Sequence, residues 1–331
     1  MADWKSALRE DPTGWLLQED NPSVRFFTLR DLLDRPEGDP EMESARRAIM
    51  LRGAAPEILR KQREGAYLER ESRFYTDKYT GLVWSLIALA ELGATANEQI
   101  RAQCESLMAN AQDDRGGFSM HRAKAGGGLP SEVIPCLTGN MVFALQRLGL
   151  GEDARVQRGI DWLVGYMRLN DGQELEPQEA PYARYEMCWG RHTCLMGVAK
   201  ALKAFAEIPP EARSSEVLGA IGRCAEFLLI HHIHKRSHDV SRVSKPGWTK
   251  FGFPLMYQTD ALELFDILTN LGIRDERMQE AARLILSKQQ SDGRWLTENS
   301  YGDRMLTPFD EKGAPGKWVT LRAMRALRRY G

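Results

Sequence analysis

The chain has 331 residues, of which 43% are hydrophobic and 27% charged, an ordinary globular composition with ample material for a core. A net charge of −1 argues against nucleic acid or an anionic membrane surface as the main partner. No apolar run reaches the roughly 18–20 residues needed to cross a bilayer. The polar N-terminus lacks the apolar core of a signal peptide. We therefore expect a cytoplasmic protein without a membrane span.

The five cysteines are few and odd in number, which argues against a disulfide framework. We expect reduced thiols, some of them buried and some able to bind a metal ion. They are Cys104, Cys136, Cys188, Cys194 and Cys224.

A sixfold internal repeat organises the sequence. Each copy has a threonine, expected in the first turn of a helix, followed by leucines at helical spacing and usually by a Leu-Gly stop. Successive threonines are 52, 58, 55, 66 and 61 residues apart, a period that fits two helices and a loop. They are Thr28, Thr80, Thr138, Thr193, Thr259 and Thr320.

Two kinds of helix alternate along this repeat. The segments that follow the threonines are apolar around most of their circumference, as buried helices are. The segments between them place apolar residues at i, i+3, i+4 and i+7 opposite charges, which is typical of half-exposed helices. Gly93, Gly149 and Gly272 suit the C′ position with positive φ, and Asp275 suits an N-cap.

This alternation predicts a single all-α domain over residues 1–331. Its architecture would be an (α/α)6 barrel, or toroid, of six helical hairpins with concentric inner and outer rings around a central cavity. The last inner helix is as apolar as the middle ones, which favours a closed ring over an open solenoid with polar ends.

Short segments of glutamine, glycine and an aromatic residue follow several outer helices. The clearest is QQSDGRW (289–295), with weaker copies in QREGAY (62–67) and QDDRGGF (112–118). These segments resemble the glutamine–tryptophan repeat of the terpenoid cyclase and protein prenyltransferase (squalene cyclase-like) superfamily, whose fold is an (α/α)6 toroid. We expect them to be structural, with the glutamine bonded to helix-terminal backbone groups and the ring packed between hairpins.

Two consecutive inner-helix starts resemble the zinc site of protein prenyltransferase β-subunits. That family holds zinc with an Asp and a Cys at one start and with the His of an HTC-like sequence at the next. Cys136, two residues before Thr138, and His192, directly before Thr193, match that register. The resemblance implies zinc as the cofactor, with Cys136 and His192 as ligands and a coordination position left open for chemistry.

The chain departs from the zinc pattern at one ligand. The family's aspartate corresponds to Ile134, so Glu132, Cys188 or Cys194 would have to complete the metal site. The alternative is that the cysteines are small buried hydrophobes and His192 a hydrogen-bonded residue at a helix start.

The chain also departs from the catalytic patterns of the superfamily. The Arg and Lys that hold the lipid diphosphate in prenyltransferases correspond to Gly128 and Ser131, and the DxDD motif of class II cyclases is absent. Prenyltransferases also need a partner α-subunit, so a protein partner stays open.

Residues just before the inner-helix threonines are candidates to line the mouth of the barrel. This mixture of basic and aromatic groups suits an apolar ligand with an anionic head. Alternatively, the cations pair with loop carboxylates such as Asp77 while the rings fill the barrel. The candidates are Arg25, Phe26, Lys78, Tyr79, Arg191, Tyr257 and Trp318.

Two further residues are candidate acids. Asp260 belongs to the first turn of an inner helix, where the helix dipole favours a carboxylate. Burial beside aromatic rings would raise its pKa and suit it to proton donation. His238 lies in the tract HHIHKRSHD, which could bind metal or complement a helix C-terminus. The long loop from Ser237 to Phe253 is a candidate lid.

We predict an enzyme of the toroid superfamily that acts on a largely apolar, isoprenoid-like substrate in the central cavity, with zinc as an expected cofactor. One alternative is a metal-free terpenoid cyclase with Asp260 or a histidine as the acid and aromatic rings that stabilise carbocations. Another is a non-catalytic toroid that binds a ligand or a protein.

Overall fold

The computed structural model describes residues 4–70, 72–175, 177–179 and 181–331. These residues are mostly helical, which confirms the all-α prediction. The α-helices, in chain order, are α1 (Thr13–Leu16), α2 (Pro22–Asp31), α3 (Pro40–Ile49), α4 (Ala54–Glu64), α5 (Leu82–Glu91), α6 (Glu98–Ala111), α7 (Pro135–Leu145), α8 (Ala154–Tyr166), α9 (Glu186–Trp189), α10 (Leu195–Ala206), α11 (Ser215–Ile230), α12 (Ala261–Asn270), α13 (Gln279–Ser287) and α14 (Lys317–Tyr330). In this described part, no helix combines the length and apolar character needed to cross a membrane.

The chain divides into two compact units. The first unit runs to Glu57 and adds Leu229–Leu255 and Thr259–Gly331, and the second unit combines Ile58–Leu228 with Met256–Gln258. The single domain predicted from the sequence stays a prediction.

In the second unit, α7 packs between α5 and α10, while α6 lies against α5 and α8 against α7. Every residue of α5 and α7 is buried, as the apolar circumference of these helices predicts. Gly139 of α7 faces the backbone of Lys200 in α10, and a Cβ at Gly139 would lie 2.4 Å from the Lys200 carbonyl carbon. The absence of a side chain at Gly139 therefore permits the close approach of these two helices.

In the first unit, α14 packs between α2 and α12, while α3 lies against α2 and α13 against α12. The last buried helix of the chain therefore contacts the first. Arg325 of α14 holds both neighbours, because its guanidinium donates to Asp266 of α12 at 3.0 Å and to Asp31 of α2 at 3.1 Å. The two carboxylates offset the cost of burying this arginine's charge.

The threonines of the repeat differ in their position relative to the helices. Thr138 and Thr320 lie in the first turn, as predicted, whereas Thr80, Thr193 and Thr259 precede their helices. The first-turn prediction was therefore wrong for these three, and it was also wrong for Thr28, which lies near the C-terminal end of α2. Helix α2 starts earlier because the Asn21 side chain accepts from Val24 N and Pro22 occupies the first helical position.

Three of the threonine hydroxyls accept a backbone hydrogen bond from the loop that precedes the buried helix. Phe118 N donates to Thr138 Oγ1 at 2.9 Å, and Trp295 N donates to Thr320 Oγ1 at 3.0 Å. Asn170 N donates to Thr193 Oγ1 at 2.9 Å. The hydroxyl satisfies a buried N–H group, which explains why the repeat uses a threonine rather than a valine at these positions.

The clearest glutamine–aromatic segment, residues 289–295, has the structural role expected of it. Gln289 Nε2 donates to Gly293 O at 2.9 Å, and Gln289 Oε1 accepts from Arg9 N at 2.8 Å. Trp295 is fully buried, and its indole N–H donates to Ile285 O at 2.7 Å. The motif thus binds the N-terminal segment to the end of α13 and fills the space beside it.

Local turn signals are largely confirmed. Gly93, Gly149 and Gly272 have φ values of 72°, 81° and 76°, as helix C′ glycines require. Asp275 accepts from Arg277 N at 2.9 Å and caps the short helical turn before α13.

A β-hairpin that was not predicted from the sequence overlaps the start of the loop from Ser237 to Phe253. Strands β1 (Lys235–Arg236) and β2 (Asp239–Val243) pair antiparallel and form a small hairpin after α11. The hairpin accounts for part of the length of this loop, whereas its predicted role as a lid stays a prediction.

Candidate functional site

An aromatic cluster in the second unit is the most concentrated group of predicted site residues. It comprises Tyr75, Tyr79, Trp84 and Tyr257, and two of these four were predicted from the sequence. Trp84 lies at its centre, with ring centroids 5.0 Å from Tyr75, 5.1 Å from Tyr79 and 6.1 Å from Tyr257. Tyr79 and Tyr257 stack with an interplanar angle of 10°.

The backbone around the aromatic cluster is held by specific bonds. The indole of Trp84, in the first turn of α5, donates to Tyr75 O at 2.9 Å, so the segment before the helix folds back over it. Asn140 of α7 donates to Met256 O at 3.1 Å and thereby anchors the residue beside Tyr257. Three stretches distant in sequence thus meet beside the start of α5 and the middle of α7.

Lys78 places its ammonium against this cluster. Its Nζ lies 4.9 Å from the ring centroid of Tyr257, 5.1 Å from that of Tyr75 and 5.9 Å from that of Trp84. These distances fall within the range of cation–π attraction. The neighbouring carboxylate of Asp77 instead pairs with Arg70 at 3.2 Å and Arg73 at 2.5 Å.

The phenol of Tyr257 is electrostatically unusual. Burial raises its pKa, but hydrogen bonds from Tyr79 and Gln258 and the nearby charge of Lys78 outweigh burial and hold the pKa below its usual value. Donors and a cation stabilise the phenolate more than the phenol. A half-exposed phenol of this kind is a strong hydrogen-bond donor to a ligand oxygen.

The predicted thiol ligands lie in the same unit. Burial raises the pKa of Cys136 well above its usual range, and the neighbouring thiols of Cys194 and Cys188 add to this shift. Burial likewise raises the pKa of Cys188 to about 12. Among the described residues, Cys136 belongs to no set of three metal-type ligand atoms within 4.8 Å of one another.

His192 pairs with an aspartate that was not predicted from the sequence. Its Nδ1 lies 3.3 Å from Asp171 Oδ1, and an antiparallel bridge joins the two residues. An imidazole nitrogen and a carboxylate oxygen are both ligand types that zinc accepts. This pair therefore offers two ligand atoms of types that metal ions accept.

A cleft of about 540 Å³ opens beside this pair. Arg191, a predicted substrate-binding residue, belongs to its wall and donates through Nε to Gly172 O at 3.3 Å. The lining residues are Gly172, Gln173, Glu174, Leu175, Gln178 and Arg191.

Glu132, a candidate third ligand, is buried and already engaged. Its carboxylate pairs with Arg184 at 2.5 Å, accepts a hydrogen bond from the Tyr185 hydroxyl and lies 3.5 Å from His121 Nδ1. These contacts tie the loop before α7 to the segment before α9, a structural role.

Asp260, in the first unit, is fully buried and caps α12. Its two carboxylate oxygens accept from Glu263 N at 2.7 Å and from Gly252 N at 3.0 Å. Burial raises its pKa to about 7, the nearby carboxylate of Glu263 adds to that, and the two backbone hydrogen bonds and Arg322 oppose it. Burial thus raises the pKa of Asp260, the geometry shows a capping role, and the predicted role as an acid stays a prediction.

The other predicted residues of the first unit have clear packing partners. Trp318 stacks on Phe253 with centroids 4.1 Å apart, and Phe26 lies edge-on to Phe27 at 5.1 Å. Arg25 pairs at 2.5 Å with Glu41, which lies in the first turn of α3 and not in a loop.

Two further titratable residues of the first unit are His238, a candidate from the sequence, and Asp310, which was not predicted. His238 is exposed in the turn between β1 and β2. Burial raises the pKa of Asp310 to about 6, although its carboxylate accepts from Trp318 N at 3.1 Å. No periodicity marks Asp310 in the sequence, since it belongs to an irregular loop.

Comparisons with known proteins give no further identification: no family model matches the chain, and no curated protein sequence is similar to it at a significant level. The superfamily resemblance of the glutamine–aromatic segments therefore stays an expectation, and function has to be argued from the site.

Proposed function

We propose that this protein is an enzyme of the terpenoid cyclase or prenyltransferase-like class that binds an isoprenoid-like substrate with an anionic head group. The observation that carries the proposal is the convergence of Tyr75, Tyr79, Trp84 and Tyr257 with the ammonium of Lys78. Apolar rings bind a hydrocarbon chain, while the lysine that lies over them binds phosphate oxygens as a point charge.

The proposal includes the closed (α/α)6 toroid as the architecture. Its support is the side-by-side packing of buried helices within each unit, α5–α7–α10 in one and α2–α14–α12 in the other, each with amphipathic helices against it. The contact of α14 with α2 also supports closure, because an open solenoid has no reason to bring its first and last helices together.

In this proposal, the residues of the aromatic cluster and Lys78 have separate roles. Lys78 binds the head group, the rings exclude water from the chain, and Tyr257 donates a hydrogen bond to a substrate oxygen. Because Tyr79, Gln258 and Lys78 stabilise the phenolate of Tyr257, proton donation from this phenol to the substrate costs less than from an ordinary tyrosine.

The proposal includes a zinc ion at Asp171 and His192. These residues provide two suitable ligand atoms, and zinc sites in enzymes use about three. Elemental analysis of the purified protein, with the His192→Ala variant beside it, determines whether about one zinc is bound per chain. A native protein without zinc would remove the metal from the proposal.

Binding and turnover of farnesyl diphosphate test the proposal. Isothermal titration of farnesyl diphosphate into the native protein should give saturable binding, and Lys78→Met should weaken it by about tenfold. Lys124→Met, an exposed lysine of the same unit, is the matched control and should bind as the native protein does. Farnesol should bind equally to all three proteins, because it lacks the charged head.

Mass spectrometry of the incubated substrate separates an enzyme from a binding protein. Conversion of farnesyl diphosphate, with or without an added thiol acceptor, supports the enzyme. Saturable binding without turnover supports the non-catalytic toroid instead, and the absence of saturable binding overturns the proposal.

A second candidate is the metal-free cyclase that protonates its substrate with Asp260. The observation in its favour is the carboxyl pKa of about 7, which keeps the group partly protonated near neutral pH. Against it, both carboxylate oxygens already accept backbone hydrogen bonds. Turnover that persists in Asp260→Asn excludes this candidate.

A further inference from the structure

The ammonium of Lys78 occupies a position where three aromatic faces meet. Its Nζ lies over the rings of Tyr75, Trp84 and Tyr257 at 5.1, 5.9 and 4.9 Å from their centroids. A single cation–π contact is common at protein surfaces, whereas three rings around one cation form an aromatic cage. The negative faces of these rings define a point at which a positive charge is stabilised.

The cage does not depend on Lys78 for its shape. The Trp84 indole donates to Tyr75 O at 2.9 Å, and Tyr79 stacks on Tyr257. Asn140 holds the backbone of Met256 at 3.1 Å. Because backbone bonds and ring contacts position all three walls, the rings should keep their places when the lysine side chain leaves.

The occupant, by contrast, is held only weakly. Lys78 is exposed, and within the described ranges no carboxylate lies within 4.0 Å of its ammonium. A lysine that rotates into solvent regains full hydration, so its departure from the cage costs little free energy.

We propose that Tyr75, Trp84 and Tyr257 form a binding site for a quaternary ammonium cation, and that Lys78 is an internal occupant that competes for it. A trimethylammonium group is larger and less strongly hydrated than a lysine ammonium, so it gains more from contact with three ring faces. This inference concerns a different ligand class from the proposed function and does not rest on it.

The test uses choline and its neutral isostere 3,3-dimethylbutan-1-ol as probes. In the Lys78→Ala variant, isothermal titration should show choline binding about tenfold tighter than in the native protein, because the competitor is gone. Choline should also bind this variant about tenfold tighter than the neutral alcohol, which has the same shape without the charge. Equal affinity of the two probes would show ordinary apolar binding and overturn the proposal.

Two further variants exclude trivial explanations. Lys124→Ala removes an exposed lysine elsewhere in the second unit, so choline affinity in it should equal that of the native protein. In the Lys78→Ala background, Tyr257→Phe keeps the ring and should retain choline binding, whereas Tyr257→Leu should lose it by at least about fivefold. Tyr257 is half-exposed, so these changes leave the core intact, and circular dichroism verifies the fold.

The choline experiment and the farnesyl diphosphate experiment can fail independently of each other. Lys78 strengthens the binding of farnesyl diphosphate, which is measured with the native protein, whereas choline binding is strongest without Lys78. Unchanged choline affinity in Lys78→Ala relative to Lys124→Ala overturns the cation site and leaves the isoprenoid proposal untouched.

Discussion

Thr320 accepts a hydrogen bond from the backbone N–H of Trp295 at 3.0 Å, and both residues are fully buried. The bond joins the end of the glutamine–tryptophan segment to the first turn of α14. Thr138 receives the same bond from Phe118 N in the second unit. A contact that recurs in two copies of the repeat explains the threonine better than helix propensity does, because threonine is a mediocre helix former.

Replacing this threonine with valine should destabilise the protein. Thr320→Val keeps the shape of the side chain but leaves the Trp295 N–H buried without an acceptor, at a cost of about 1–3 kcal/mol in the free energy of unfolding. Urea denaturation followed by fluorescence measures this change. Thr259→Val is the matched control, since the buried Thr259 hydroxyl has no hydrogen-bond partner in the described structure and its loss should cost much less. Equal losses of unfolding free energy in the two variants would contradict the role of the Thr320 hydroxyl as acceptor of the Trp295 N–H group.

The glutamine of the same segment should contribute a similar amount. Gln289→Leu removes the acceptor of Arg9 N and the donor to Gly293 O, which should lower the free energy of unfolding by about 1–3 kcal/mol. The neighbouring Gln290 is exposed, and Gln290→Leu should change stability by less than about 0.5 kcal/mol. Parallel urea titrations compare the Gln289→Leu and Gln290→Leu variants. Equal stability of the two variants would contradict the structural role of Gln289.

Removing the charge of Lys78 should raise the pKa of Tyr257. The phenolate of Tyr257 loses a nearby cation in Lys78→Met, so its titration moves toward that of an ordinary tyrosine. Ultraviolet difference absorbance of phenolate, recorded against pH and compared with Tyr257→Phe, isolates this residue among the nine tyrosines. Lys124→Met should leave the titration curve unchanged. A Tyr257 signal that titrates identically with and without Lys78 would refute the proposed interaction.

Asp260 should make stability fall as pH rises. Its pKa is about 7 in the folded protein against an ordinary value of 3.8 for an aspartate, so the folded state retains a proton that the unfolded chain has released. The resulting stabilisation is complete below about pH 4 and is lost as the pH rises toward 7, on the order of a few kcal/mol.

The variant Asp260→Asn tests this linkage. Asparagine also serves as an N-cap and cannot titrate, so the contribution of this site to the pH slope should disappear between about pH 4 and 7. Urea denaturation at several pH values in this window gives the slope. Asp303→Asn, at an exposed aspartate, should retain the native slope. If the free energy of unfolding of Asp260→Asn falls with pH as steeply as that of the native protein, Asp260 is not the source of this pH dependence.

Local sequence signals predicted much of the helical framework. The glycine at 272 ends α12 because a C′ residue with positive φ has no steric cost there, and Asp275 starts the next helical turn by capping it. The start that was misplaced most, that of α2, also had a local signal. Asn21 followed by Pro22 is a pair typical of a helix start. This local signal indicates the start of α2 better than the position of Thr28 in the repeat does.

Side-chain convergence was not predictable in the same way. Tyr79 and Tyr257 were both candidates from their register, yet nothing local indicates that they stack or that Tyr75 and Trp84 complete a cage around Lys78. Likewise, Asp171 had no sequence signal as the partner of His192, because the bridge that pairs them joins two irregular segments.

The sequence by itself determined the helical class, the sixfold repeat and the role of the clearest glutamine–aromatic segment, because these depend on periodicity and on groups within a few residues of each helix end. Only the tertiary structure decided which side chains meet. The phenol of Tyr257 has a lowered pKa because Tyr79 and Lys78 approach it across a long stretch of chain. Electrostatic energies depend on distance in space, and a linear pattern does not encode that distance.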